Sequence, residues 1–410
     1  MAETPKITIE PPEYLNPSLL LKAMKQGLEN ESIQILYYDI KPAVGVGDNY
    51  ASCIFRVKLT IQIENKAIDK SIIIKTLPQR DIMVNVIREW GFFRKEAKML
   101  SSIVPKIQNI LCKVGISTDL CAKIYLNDGP PNEAVVMEDL VVSGFKLGNR
   151  FEGLDLEHCV LVLENLACLH AGSLVLLENE PKIKEEFSDG FWEAEGSTSK
   201  MYSSALTTTI EKLESWSFNE YSKKLQKISV DTMIEKIFKA TKRDESLLNV
   251  LNHGDLWTNN MMFKYSEDNK VTAVKFVDFQ MSSYNSPALD IIYFMFISPR
   301  LDVKLKSLDF LIETYYNKFS SVCEALNIQP NYTLEDLKKD IQKRLAFAYG
   351  VTASIFPLTS APPEDALKTN EIDEENTGFS SENNMFNNKK FKEGLIDVLK
   401  YLDDNNFFHE

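Results

Sequence analysis

The stretch Leu251–Asn260, LNHGDLWTNN, sets an aspartate and an asparagine five residues apart directly after an apolar run. The chain holds only four histidines, and one of them, His253, stands just before that aspartate. Downstream, Asp278 sits at the end of an apolar segment, VKFVDFQ. Short strands are predicted at 261–265 and 272–277, so Asp278 falls at the end of a hairpin that begins beside Asn260. This order of groups suits phosphoryl transfer. Asp255 can orient and deprotonate an attacking hydroxyl, while Asn260 and Asp278 supply hard oxygen ligands for magnesium on the phosphates of ATP.

Upstream, Gly45 and Gly47 open the loop GVGDNYAS, which also holds Asn49 and Ser52. Its backbone amides and short side chains could cover phosphates. Alternation from Cys53 to Ile63 predicts a strand, ENK a turn, and Ser71 to Thr76 a second, β-branched strand that carries Lys75. Helical spacing over 82–103 places Glu96 where it could pair with Lys75 and hold that lysine against the α- and β-phosphates. Two further strands are predicted at 122–126 and 134–137, and the segment VVMEDL follows. There Met137 would shape an adenine pocket, and the backbone of Glu138 and Leu140 would pair with the base edge. Each piece alone has a plainer reading. Gly45 and Gly47 could form only a turn, Lys75 a solvated strand end, Glu96 a surface charge, Glu138 and Asp139 a solvated face. The order carries the inference: glycine loop, lysine, glutamate, VVMEDL, HGDxxxxN, DFQ.

The pattern of elements predicts an α+β chain. Residues 1–137 form a small antiparallel-sheet lobe for nucleotide, 138–141 a hinge, and 142–410 a larger, mostly helical lobe for catalysis and the acceptor. An amphipathic helix is expected around Leu19–Leu28. A long helix is expected from Asp155 to Leu177 with Asp155 as its N-cap. Residues 183–200 read as a loop, 204–250 as helices, and the polar stretch SAPPEDALKTNEIDEENTGFSSENNMFNN as a mobile loop. The aromatic residues Phe187, Phe191, Trp192, Tyr202 and Trp216 could line an acceptor pocket or fill a core. Trp257 could wall the acceptor site or fill the core.

The 410 residues carry 46 basic and 59 acidic side chains, a net charge of −13, which argues against sequence-independent binding to nucleic acid or anionic lipid. Hydrophobic content of 44% suits a globular core. The six cysteines form no CxxC pair and read as reduced thiols, which points to the cytoplasm. The opening MAETPKITIEPPEY has no apolar core and is not expected to act as a signal peptide. No apolar run is expected to approach the length of a membrane span; the strongest is Ile291–Ile297.

These motifs, with FFRKEAKML, LACLHAGS and KFVDFQMSSYNSPALDIIYFMF, resemble the ecdysteroid kinase-like family of arthropods, within the aminoglycoside phosphotransferase and choline kinase superfamily. The resemblance is clearest over residues 40–350. It implies a two-lobed protein-kinase-like fold, Asp255 as catalytic base, Asn260 and Asp278 as magnesium ligands, and Lys75 with Glu96 as the pair that orients ATP. Asp290 would brace the catalytic loop through backbone hydrogen bonds, and His253 and His170 would be bracing partners rather than acids. The chain departs from protein kinases at Gly254, where those enzymes carry an arginine, and at Gln280, where they carry a glycine. The short span from Asp278 to Asp290 leaves no room for a peptide-docking activation segment. The expected activity is transfer of the γ-phosphate to a small-molecule alcohol, such as an ecdysteroid hydroxyl or a dietary or foreign metabolite, with no protein partner implied. The rival expectations are a choline or ethanolamine kinase and a catalytically silent hormone-binding protein.

Overall fold

A computed structural model describes residues 10–43, 52–78, 87–188, 190–193, 197–362, 365 and 383–409. The chain divides into two compact units, Met1–Pro105 with Cys121–Lys146, and Lys106–Leu120 with Leu147–Glu410.

The first unit is built on a five-stranded antiparallel sheet. Its strands are β1 (Gln34–Pro42), β2 (Cys53–Ile63), β3 (Lys66–Thr76), β4 (Ile124–Asp128) and β5 (Ala134–Glu138), in the order β1-β2-β3-β5-β4. The expected alternation in β2 turns Phe55, Val57, Leu59 and Ile61 inward, all essentially excluded from solvent. They pack with Ile72 and Ile74 of β3 and with one face of α1 (Pro17–Leu28), through Leu19, Leu20, Ala23 and Met24. Helix α1 starts where it does because the Asn16 side chain accepts from the Ser18 and Leu19 amides and Pro17 needs no amide partner. Hairpin pairing of β2 with β3 sets Ile54 opposite Lys75, and β5 sets Val135 opposite Lys75 from the other side. Lys75 is thus on a central strand rather than at a solvated end.

Of the helix expected over 82–103, residues 87–89 are helical; after a turn the chain forms α2 (Phe92–Lys98), passes through a π-helical turn, Met99–Ile103, and continues as α3 (Val104–Lys113). Residues 82–86 lie outside the described residues. Most of α3 belongs to the second unit; its Ile107 and Leu111 pack on Gly172 of that unit's longest helix, where a Cβ would lie 2.6 Å from Ile107.

That helix is α4 (Leu156–Asn179), and Asp155 caps it by accepting the His158 amide. By length and composition α4 could cross a membrane, so the expectation that no apolar run approaches that length is corrected. Most of its apolar surface is buried inside the unit, as in the core helix of a globular protein. The segment expected to be a loop at 183–200 is instead largely structured. It holds α5 (Lys182–Glu186), a 3-10 turn at Phe191–Glu193 and the start of α6 (Ser197–Ser215). Burial decides this: Phe187 and Trp192 are core residues, and the Phe187 and Trp192 carbonyls accept hydrogen bonds from Tyr284 and Thr241. Helices α7 (Asn219–Ile228) and α8 (Val230–Thr241) follow, as expected for 204–250. Of the stretch expected to be a mobile loop, 360–388, residues 363–364 and 366–382 lie outside the described residues.

Two small ladders frame the HGD motif. Strand β6 (Val250–Asn252) pairs with β9 (Ser283–Asn285), and β7 (Met261–Tyr265) pairs with β8 (Val271–Phe276). After β9 comes α9 (Ala288–Ile297), all ten of whose residues are buried. Helices α10 (Leu301–Lys304), α11 (Leu308–Ala325), α12 (Leu334–Lys343), α13 (Leu345–Ser360) and α14 (Lys389–Asp404) complete the unit. One antiparallel-sheet unit and one mostly helical unit make the α+β composition expected from the sequence.

Candidate active site

In the second unit the chain leaves β6 at Asn252 and must turn sharply. Gly254 makes that turn at φ +86°, and a Cβ there would lie 2.0 Å from the carbonyl oxygen of Met281. The turn is pinned by Asp290 of α9, whose carboxylate accepts the His253 amide (2.6 Å) and the Gly254 amide (2.8 Å). His170 of α4 meets the same carboxylate at 3.2 Å and the Tyr315 hydroxyl at 2.8 Å. Burial alone would raise the Asp290 carboxyl, but the His170 hydrogen bond and charge, His253 and the Gly254 amide outweigh it and hold it below the ordinary range. Asp290 and His170 are therefore braces, as is His253. Burial lowers the His253 pKa, so the ring is neutral. Its Nε2 donates to the Val277 carbonyl (3.0 Å) and its Nδ1 accepts the Asp255 amide (3.3 Å).

Asp255 emerges from this brace buried. Its Oδ1 accepts from the Tyr293 hydroxyl at 2.6 Å, and its Oδ2 from Asn260 Nδ2 at 2.8 Å. Asn260 Nδ2 also reaches the Asp255 carbonyl at 2.8 Å. Burial pushes the Asp255 carboxyl up to about 7, and the charge of Asp278 adds to the rise; hydrogen bonds from Tyr293, Asn260 and Trp257 oppose it. Trp257 is half-buried and turned to Asp255, so it is not core filling.

The hairpin delivers the last member. Met261 pairs with Phe276, and one step beyond, the Val277 amide donates to the Asn260 carbonyl at 3.0 Å. Asp278 follows in a left-handed conformation, φ +66°. Asp255, Asn260 and Asp278 are therefore brought together. Both Asn260 amide protons' donor atom, Nδ2, is committed to Asp255, which turns its Oδ1 into the atom suited to a cation. One amide oxygen and one carboxylate match magnesium, which usually takes few protein oxygens and completes its shell with water and phosphate. Among the described residues no group of three or more His, Cys, Asp or Glu side chains forms a self-sufficient metal cage.

In the first unit, Lys75 and Glu96 form the expected ion pair, Nζ to Oε2 2.7 Å, with both side chains buried. Ser52 is buried at the start of β2. Gly45, Gly47 and Asn49 lie outside the described residues. Met137 and Glu138 end β5 half-buried, and Leu140 is buried. The Glu138 amide donates to the Lys123 carbonyl at 2.8 Å, so that N–H is not the group that would meet a base edge. Asp139 does not take the plainer reading of a solvated face but is buried: Arg56 Nε (2.7 Å) and Ser71 Oγ (2.7 Å) both donate to it. Burial pushes its carboxyl up, but these bonds and the Arg56 charge bring it below the ordinary range.

Two residues that meet this motif were not singled out for it in the sequence. Tyr293 follows Asp290 by one helical turn, so the DIIY spacing on α9 was the signal that both face the same loop. Trp192, which could line an acceptor pocket or fill a core, is buried and donates its indole N–H to the Gly254 carbonyl at 2.8 Å. Tyr202 and Phe187 are likewise buried in the core.

No curated protein matches the chain. Among solved structures it is similar to the ternary complex of streptomycin, ATP and APH(2")-IIa, with 13% identity over 85% of this chain and 97% of that chain, at a TM-score of 0.35. A family model matches residues 46–328, more than half of the sequence, and on that match the chain belongs to the ecdysteroid kinase-like family.

Proposed function

We propose that this small-molecule kinase transfers the γ-phosphoryl group of ATP to an alcohol, with an ecdysteroid hydroxyl or a dietary or foreign metabolite as the acceptor class. Family membership supports the reaction class. The observation that carries the reading is the Asp255 carboxylate, buried beside Asn260 and held through both oxygens by neutral donors. In that setting it keeps enough proton affinity to serve as a base near neutral pH.

The acceptor oxygen forms a bond to the γ-phosphorus as the bond to the ADP oxygen breaks. The hydroxyl proton passes to Asp255 as that bond forms, because an alcohol gains acidity late in a loose transfer. Asn260 Oδ1 and the Asp278 carboxylate are the atoms we assign to magnesium, which when bound neutralises charge on the phosphates. Lys75, held by Glu96, is the cation we assign to the ATP phosphates.

The test incubates purified protein with γ-labelled ATP, in magnesium or in EDTA, against a steroid alcohol, a plant glycoside and choline. Label should move to an uncharged alcohol, and only with magnesium. Preferred transfer to choline would replace the reading with an ammonium-alcohol kinase. ATP binding without transfer to any acceptor would favour a binding protein.

A further inference from the structure

Tyr293 lies on a helix whose every residue is buried, yet its hydroxyl ends 2.6 Å from Asp255 Oδ1. An aromatic side chain in the run ALDIIYFMFI would pack as well without that oxygen. Burial, then the Asp255 charge and hydrogen bond, raise the Tyr293 pKa well above its ordinary value, so the hydroxyl keeps its proton and donates. The ring is held from behind by Trp192, centroid to centroid 5.3 Å. Trp192 also packs on Phe347 at 5.9 Å, gives its indole N–H to the Gly254 carbonyl at 2.8 Å, and has its own carbonyl held by Thr241 at 2.9 Å. One aromatic pair therefore grips the residue before the base and the base itself.

We infer that Tyr293 is a positioning residue for the transfer: its hydroxyl fixes the rotation of the Asp255 carboxylate and so aims it at the acceptor oxygen. With Oδ2 held by Asn260 and Oδ1 by Tyr293, the carboxylate plane has one orientation. With the Trp257 hydrogen bond counted as well, the carboxylate still keeps a lone pair with which to receive the alcohol. The phenol, the amide and the Trp257 indole are all neutral, so the carboxylate is oriented without a cation to quench its basicity. The inference rests on the reading of Asp255 as the base.

The experiment is a double-mutant cycle of Tyr293→Phe and Asp255→Asn, read as kcat and as KM for ATP, with a melting curve for each variant. Tyr293→Phe removes one oxygen and keeps the ring that packs on Trp192. It should lower kcat about 10- to 100-fold, the range expected when a catalytic group is misaimed, with KM for ATP unchanged. In the Asp255→Asn background the same change should cost nothing further, because there is no base left to aim. Wild-type kcat in Tyr293→Phe beside a depressed kcat in Asp255→Asn would overturn the inference and leave the base assignment standing. So would an equal fold-loss in both backgrounds, which marks a structural role. Wild-type kcat in Asp255→Asn would instead overturn the base assignment, and this inference with it.

Discussion

Two buried carboxylates of the first unit and the Asp255 carboxylate of the second keep different company. In the first, Glu96 meets the Lys75 ammonium at 2.7 Å and Asp139 meets the Arg56 guanidinium at 2.7 Å. In the second, Asp255 is met by a phenol and an amide. The outcome differs in sign: Asp139 is held below the ordinary carboxylate range, while burial lifts Asp255 to about 7. A fixed cation stabilises the charged form and makes a carboxylate a structural anchor. Neutral donors fix its geometry and leave its affinity for a proton, which is the property a general base needs.

The largest effect that could break this contrast lies at Glu96. Glu96→Ala would remove the carboxylate that meets the buried Lys75 ammonium, and loss of one partner of such a pair costs about 3–5 kcal/mol. Denaturant unfolding followed by a probe in the first unit should show a much lower midpoint. An unchanged midpoint would mean that the pair is solvated and that the contrast fails.

Asp255 should respond in the opposite direction. Its folded pKa of about 7 lies above the unfolded value near 3.9. The stability contributed by its protonated form is therefore fully present below about pH 4 and is lost as the pH rises through about 7. Asp255→Asn keeps a neutral side chain at every pH. Its carbonyl can accept from Asn260, and its amide can donate to the Tyr293 oxygen once that hydroxyl turns. In EDTA the variant should be more stable than the parent at about pH 8, by up to roughly 4 kcal/mol, with the advantage gone near pH 4. Equal midpoints at about pH 8 would show that burial of the Asp255 charge costs nothing.

A smaller effect sharpens the comparison from the backbone side. Gly254→Ala forces a side chain into a left-handed residue and against the Met281 carbonyl. Strain of this kind is worth about 1–3 kcal/mol. The melting temperature should fall, and kcat should fall further than stability alone explains, because the turn aims the next residue. An unperturbed kcat would mean that the turn does not set the Asp255 geometry.

The parts of this molecule legible in its sequence are those set by local rules. Strand β2 shows its alternation residue by residue, and Asp155 announces a helix start. The hairpin after LNHGDLWTNN follows from two β-rich segments that bring Asn260 to Val277. What escaped depends on contacts between distant residues. Asp139 and its partner Arg56 are 83 residues apart, and nothing local at Asp139 separates a buried anchor from a solvated carboxylate. Phe191–Glu193 forms a turn because Trp192 has a socket among Gly254, Thr241, Tyr293 and Phe347, all distant in sequence. Tyr293 is concealed by its surroundings, since a tyrosine inside a run of apolar residues reads as core.

The most direct test of the central claim pairs steady-state kinetics of Asp255→Asn on an accepted alcohol with calorimetry of ATP binding in magnesium. General-base assistance contributes roughly 10²–10⁴-fold, so kcat should fall by about that factor while ATP affinity stays near that of the parent. A kcat close to the parent's would contradict the assignment of Asp255 as the base. Loss of ATP binding by a folded variant would move Asp255 from the acceptor hydroxyl to the nucleotide.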